Sequence, residues 1–326
     1  MRIHDPRSWR LPLAAILTTI MLAGVAPAAA ADEAADLLMR MAEAMLSQAY
    51  EGTLVYEHGD HLESLAIVHG HIDGQEYERL RVLNGEPFEV IREGDKVTCV
   101  WPAERRMLED QRPGDLPAPQ PPRDLRSLPQ HYAAELGGTA RVAGREARIL
   151  RIAGEDHYRY GYRMWIDRET GLLLRSDLVG RDDSVYERIM FTHIEPLDTV
   201  GRERFRPSLE GEQYSRQANP SADSTRLEDP EWETTGLPPG FRLVSHQNEA
   251  MPPHGEAVQH SVYTDGLASV SIFVEPAGTD AMPLRGLSRM GAVHAFGHEI
   301  DGHQVTAVGE VPAATVRQFG LGVQRR

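Results

Sequence analysis

Hydrophobic spacing changes period early in this 326-residue chain. Leu37, Leu38, Met41, Met45 and Leu46 recur at helical spacing, which predicts one amphipathic helix over 36–50, with Asp32 or Asp36 as its cap. From Thr53 the period falls to two. Strands are predicted at 53–57, 64–68, 75–82, 87–92 and 96–101. The turns between them carry Asp73-Gly74, Asn84-Gly85 and Gly94-Asp95. Strands this close leave no room for crossover helices, so the sheet is antiparallel. Residues 111–129 are rich in proline and read as a loop, followed by a short helix within 127–136. Strands resume at 139–142, 145–152, 158–166, 172–178 and 184–192. Periodicity then lapses over 195–230, which reads as a partly flexible connection. Further strands are predicted at 241–246, 257–263, 268–274, 292–296 and 304–309, with a terminal helix over 313–319. The fold class is α+β, mainly antiparallel β. The expected division is a leader over 1–31, a large domain over 32–200, a linker over 201–230 and a second domain over 231–326.

The leader reads as a secretory signal. Arg2, Arg7 and Arg10 precede an apolar run over 11–25, and Ala28 to Ala31 offer small-residue cleavage sites. The run is short for a membrane span, no cysteine marks a lipid anchor, and a soluble exported product is expected. Charge then narrows the partners. Lys and Arg number 34 against 49 Asp and Glu, a formal charge of −15. The leader holds three Arg and one Asp, so the exported chain stands near −17, which disfavours nucleic acid. Cys99 is the single cysteine, so no intramolecular disulfide forms; it sits in a strand-like run and reads as a packed residue.

Catalytic chemistry finds little support. His58, His61, His69 and His71 lie close together but read as solvated turn histidines rather than a metal site. His298 and His303 are one residue too far apart for the zinc-protease pattern, and Asp301-Gly302 is a turn pair. No Ser stands in a nucleophile elbow, and no glycine-rich phosphate loop is present. No cofactor, metal or catalytic residue is expected. The remaining signal is apolar and aromatic. A sheet of about ten strands tends to curl, and it either encloses an apolar cavity or fills an ordinary sandwich core.

Six stretches carry a family resemblance: 50–56 (YEGTLVY), 78–92 (ERLRVLNGEPFEVIR), 157–172 (HYRYGYRMWIDRETGL), 232–241 (WETTGLPPGF), 263–276 (YTDGLASVSIFVEP) and 305–312 (VTAVGEVP). In this order and spacing the chain resembles the RseB/MucB family, periplasmic regulators of envelope-stress sigma factors. The proline-rich loop and the stretch near Arg202 lie outside the resemblance. It implies a large domain like the LolA/LolB lipoprotein carriers, a half-open β-barrel with helices. A smaller C-terminal domain of sheet and helix follows. It also implies binding to the periplasmic part of a membrane-spanning anti-sigma factor of the RseA/MucA type, which is thereby shielded from proteolysis. A lipid-like, lipopolysaccharide or lipoprotein signal would enter the large domain. On this reading Tyr263, Asp265, Gly266 and Phe273 are candidate partner contacts, and Leu54, Tyr56, Ile67 and Trp101 candidate cavity residues. Asp265-Gly266 also fits a plain hairpin turn, and Phe273 a plain core position. The alternative function is a periplasmic lipid or lipoprotein carrier. Oligomeric state, a homodimer included, stays open.

Overall fold

The computed structural model describes residues 27–110, 130–208, 215–218, 225–226, 231–250, 257–278 and 283–326. Most of the leader and the proline-rich stretch lie outside these residues. Helix α1 (Pro27–Ser47) comes first and buries Ala34, Leu38, Met41 and Ala42. It ends before the predicted boundary because Tyr50 belongs to the sheet. There the Tyr50 ring is buried and stacks on His69 with centroids 5.0 Å apart. No helix among the described residues is long and apolar enough to cross a membrane.

The large sheet is built from β1 (Ala49–His58), β2 (His61–Ile72), β3 (Gln75–Val82), β4 (Glu89–Glu93), β5 (Lys96–Trp101), β6 (Arg106–Asp110), β7 (Tyr132–Val142), β8 (Arg145–Gly154), β9 (Gly161–Asp167), β10 (Leu173–Val179), β11 (Val185–Leu197) and β12 (Ser215–Ala218). Its 12 strands run in the order β12-β6-β5-β4-β3-β2-β1-β11-β10-β9-β8-β7. Two meanders therefore meet where β1 pairs with β11, and β12 alone runs parallel to its neighbour β6. Asp73-Gly74 and Ala143-Gly144 close two-residue turns with positive φ at both positions, as tight hairpins require. Val142 and Ala147 near one end share a core cluster with Val90 and Val97 near the other. One face of the sheet thus curls inward, but β7 and β12 do not pair, and no closed barrel forms among the described residues. Helix α1 packs on β7 to β10 through Tyr132, Leu150, Ile152, Met164 and Leu173.

Three expectations are corrected here. The short helix predicted within 127–136 is strand from Tyr132, because Tyr132, Ala134 and Leu136 alternate inward onto the α1 cluster. The stretch over 195–230 is not a free tether. A 3-10 turn at Arg202–Phe205 buries Phe205 against Tyr77, Ile91, Val100 and Met107 on the outer face, and β12 extends the sheet edge. His69 is not a solvated turn residue. It lies in β2 at 2 % exposure, with Nδ1 2.8 Å from Gln48 O.

The smaller unit contains β13 (Thr225–Arg226), β14 (Trp232–Thr234), β15 (Arg242–Ala250), β16 (Ala257–Thr264), β17 (Ser269–Pro276), β18 (Gly286–Met290), β19 (Val293–Ile300), β20 (His303–Gly309), helix α2 (Ala313–Leu321) and β21 (Val323–Arg325). Seven strands form the sheet β13-β15-β16-β17-β20-β19-β18, and β14 pairs with β21 beside it. Helix α2 seals one face, where Val316 and Phe319 pack with Trp232, Phe241, Tyr263, Val270 and Val305.

Candidate functional site

The turn after β16 projects into the large unit. Asp265 fixes that turn itself, because Oδ1 accepts from the backbone N–H groups of Leu267 at 2.9 Å and Ala268 at 2.8 Å. Oδ2 is left to face the other unit. It accepts from Arg159 Nη1 at 2.7 Å and from Tyr132 OH at 3.0 Å. Arg159 is saturated on its other edges. Nε and Nη2 donate to Asp156 at 3.0 and 2.9 Å, and Nη2 also donates to Pro239 O at 2.6 Å. The Arg159 and Asp265 side chains are both 0 % exposed. Such a pair survives burial only when its remaining hydrogen-bonding capacity is met, as it is here. Burial pushes the Asp156 carboxyl up, but the bonds from Arg159 and the Tyr158 N–H outweigh it and hold its pKa below the usual value.

Further contacts tie the units together. Thr315 Oγ1 on α2 donates to Tyr158 O at 2.7 Å, and Leu267 packs against the α1 cluster. Tyr160, Leu178 and Ala292 form an apolar patch across the same boundary. Gly240, at φ 86°, lets the backbone before β15 pass His131, where a Cβ would collide.

The candidate partner contacts do not form one surface. Tyr263 is buried in the small core, its ring 5.2 Å from that of Phe319. Asp265 and Gly266 lie in the junction turn, with Gly266 at φ 103°. Phe273 is half-buried and stacks on His260 at 4.3 Å. It alternates with Ile272 and Val274, so it faces away from α2.

The candidate cavity residues share the inner face of the large sheet. Leu54 and Ile67 are core there. Tyr56 donates to Glu187 Oε2 at 2.9 Å, and Trp101 lies under the Arg106 guanidinium at 3.6 Å. A cavity of about 440 Å³ opens beside them, lined by Leu65, Leu80, Val82, Phe88 and Val90 with His61, Glu63 and Asn84 among its polar groups. None of the four lines it directly. Leu54 lies cross-strand from Leu65, and the Trp101 ring centroid is 5.1 Å from that of Phe88.

One row of that inner face was not singled out. Tyr50, His69, Glu78, Arg92 and Val97 lie cross-strand from one another on β1 to β5. Arg92 is 0 % exposed, and none of its guanidinium nitrogens has a hydrogen-bond partner. The signal was present in the sequence, since Phe88, Val90 and Arg92 alternate onto one face. No group of His, Cys, Asp and Glu among the described residues could hold a metal ion. His298 Nε2 donates to Gly320 O at 2.8 Å, and His303 begins the next strand.

Two family models cover nearly all of this architecture. The MucB/RseB N-terminal domain matches residues 33–209, and the MucB/RseB C-terminal domain matches residues 226–324. The chain belongs to the MucB/RseB family. Among curated relatives, the sigma factor AlgU regulatory protein MucB of Pseudomonas aeruginosa is 32 % identical over 303 residues, covering 91 % of this chain and 93 % of that protein. The sigma-E factor regulatory protein RseB of Haemophilus influenzae is 27 % identical over 329 residues, covering 97 % and 98 %. Among solved structures, MucB in complex with MucA(peri) superposes with a TM-score of 0.69 at 28 % identity, over 90 % of this chain and 99 % of that one. The Pseudomonas aeruginosa MucA/MucB complex gives 0.70 at 29 % identity with the same coverage.

Proposed function

We propose that this chain is a non-catalytic, periplasmic negative regulator of an extracytoplasmic sigma factor. It binds the periplasmic part of a membrane-spanning anti-sigma factor and shields it from proteolysis. The observation that carries the reading is the match of both units, over 90 % of the chain, to a MucB solved with MucA(peri). The buried Arg159–Asp265 contact supports a partner face that spans the two units, because it holds them in one arrangement. Phe273, half-buried and stacked on the buried His260, is the contact on the small sheet, whereas Tyr263, Asp265 and Gly266 act by holding that face in place.

The large unit, on this reading, is a half-open barrel of the LolA/LolB type that receives a lipid-like signal. Its curled apolar face and the cavity beside Phe88 suit an acyl chain. Arg92 suits the anionic group of the same molecule, since a buried guanidinium without hydrogen-bond acceptors is costly. A simple carrier would need only this unit, and the polar junction to a second one favours the regulator.

The test is protection. The anti-sigma segment is digested by its periplasmic protease with and without the full exported chain. Slower cleavage that an anionic amphiphile restores is expected; unchanged cleavage at saturating protein would overturn the proposal.

A further inference from the structure

Strand β18 ends the small sheet and pairs with β19; among the described residues its other edge pairs with nothing. All five of its residues are exposed, Leu287 at 51 % and Met290 at 77 %. Helix α2 covers β19, where Phe296 lies against Gly320, and Leu287 stands one strand beyond that covered core.

The register decides which backbone groups face outward. Strands β18 and β19 join through the two-residue turn Gly291-Ala292, with positive φ at Gly291. Such a turn makes Met290 and Val293 a hydrogen-bonded pair, so Ser288–Ala295 and Gly286–Gly297 are hydrogen-bonded pairs too. Leu287 and Arg289 fall at the alternate positions, and their N–H and C=O groups point away from β19. Their side chains share the α2 side of the sheet, because Leu287 lies opposite Phe296 and Arg289 opposite His294. Arg289 is the one charge in the strand. Its Nε donates to Gly291 O at 2.8 Å, and its guanidinium stands 5.1 Å from the Tyr186 ring of the large unit. Among the described residues no carboxylate pairs with it.

We propose that the open edge of β18 takes up an extended segment of a protein partner as an eighth strand. The segment sets an apolar side chain against Leu287 and an acidic one, two residues along, against Arg289. Main-chain hydrogen bonds to Leu287 and Arg289 hold the strand, and the two side chains select it. A natural sheet rarely leaves an apolar edge uncovered, since such an edge recruits other chains. Beyond Arg289 lies Tyr186, so the added strand runs up to the domain junction. That the segment belongs to the anti-sigma factor rests on the regulator reading; the edge and its chemistry do not.

The experiment follows amide hydrogen exchange of the full exported chain with and without the periplasmic segment of the anti-sigma factor, with calorimetry in parallel. The Leu287 and Arg289 amides are expected to exchange at least about tenfold more slowly in the complex. Leu287→Pro removes an outward N–H but spares the ladder to β19, and Leu287→Glu sets a like charge against the acidic segment. Each should weaken binding about tenfold or more, with thermal unfolding confirming that the variant is folded. Binding without slower exchange at 287 and 289, or undiminished in both folded variants, would overturn the edge site and leave the regulator reading standing. Absence of binding by the wild type would overturn that reading and this proposal with it. Protection of the same amides that grows with protein concentration alone would give the edge to a second copy and overturn the proposal.

Discussion

Two arginines are buried to the same degree in this molecule and live under opposite conditions. Arg159 spends its nitrogens on Asp156, Asp265 and a backbone carbonyl, and its ion pair joins the two units. Arg92 faces the inside of the large sheet, cross-strand from Glu78, and its guanidinium nitrogens have no hydrogen-bond partner. A guanidinium taken out of water loses its hydration, and only a full set of acceptors offsets that loss. The first site is complete in the chain alone and is structural. The second lacks such a set of acceptors, and on the proposed function the anionic group of a lipid-like signal would supply it.

The largest expected effect breaks the complete site. Asp265→Ala leaves Arg159 buried without its interdomain partner and should cost about 3–5 kcal/mol in urea unfolding. A loss near zero would remove the junction from the account. At the incomplete site the sign should reverse. Arg92→Met removes a buried guanidinium that makes no hydrogen bond, and a gain of about 1 kcal/mol or more is expected, together with weaker binding of an anionic amphiphile. Destabilisation of that size would mean that Arg92 is already satisfied. Tyr132→Phe deletes one bond to Asp265 but keeps the ring, and about 1 kcal/mol should be lost. The smallest effect concerns Asp177, whose carboxyl burial pushes up but whose bonds from Arg175 and Arg188 hold its pKa low. A lowered folded pKa gives stability that is present above about pH 4 and lost as pH falls further. Asp177→Asn should flatten that acid limb, as read from unfolding midpoints at successive pH values.

Most strands were legible because period two coincides with turn pairs that demand positive φ, as at Asp73-Gly74 and Asp301-Gly302. Helix α2 was legible locally too, since Val316 and Phe319 recur at helical spacing. Elements decided by distant packing were not. Tyr50 leaves the helix for a ring stack on His69, and Phe205 is pinned by side chains from β3 to β6. Strand β6 follows a turn in which Arg105 takes positive φ, which no glycine announces. At the site, the Asp265-Gly266 turn was readable. Its partner Arg159 was not, since 106 residues separate them and no periodicity links them. Arg92 stood in a readable alternation, but the absence of an acceptor is a property of the packed interior alone.

The central claim is that this chain binds the periplasmic part of an anti-sigma factor and yields it to a lipid-like signal. Calorimetric titration of the full exported chain with that segment from the host's anti-sigma factor tests it most directly. Saturable binding that a lipid or lipopolysaccharide fragment reverses is the expected result. No heat of binding at protein concentrations well above the micromolar range would contradict the claim.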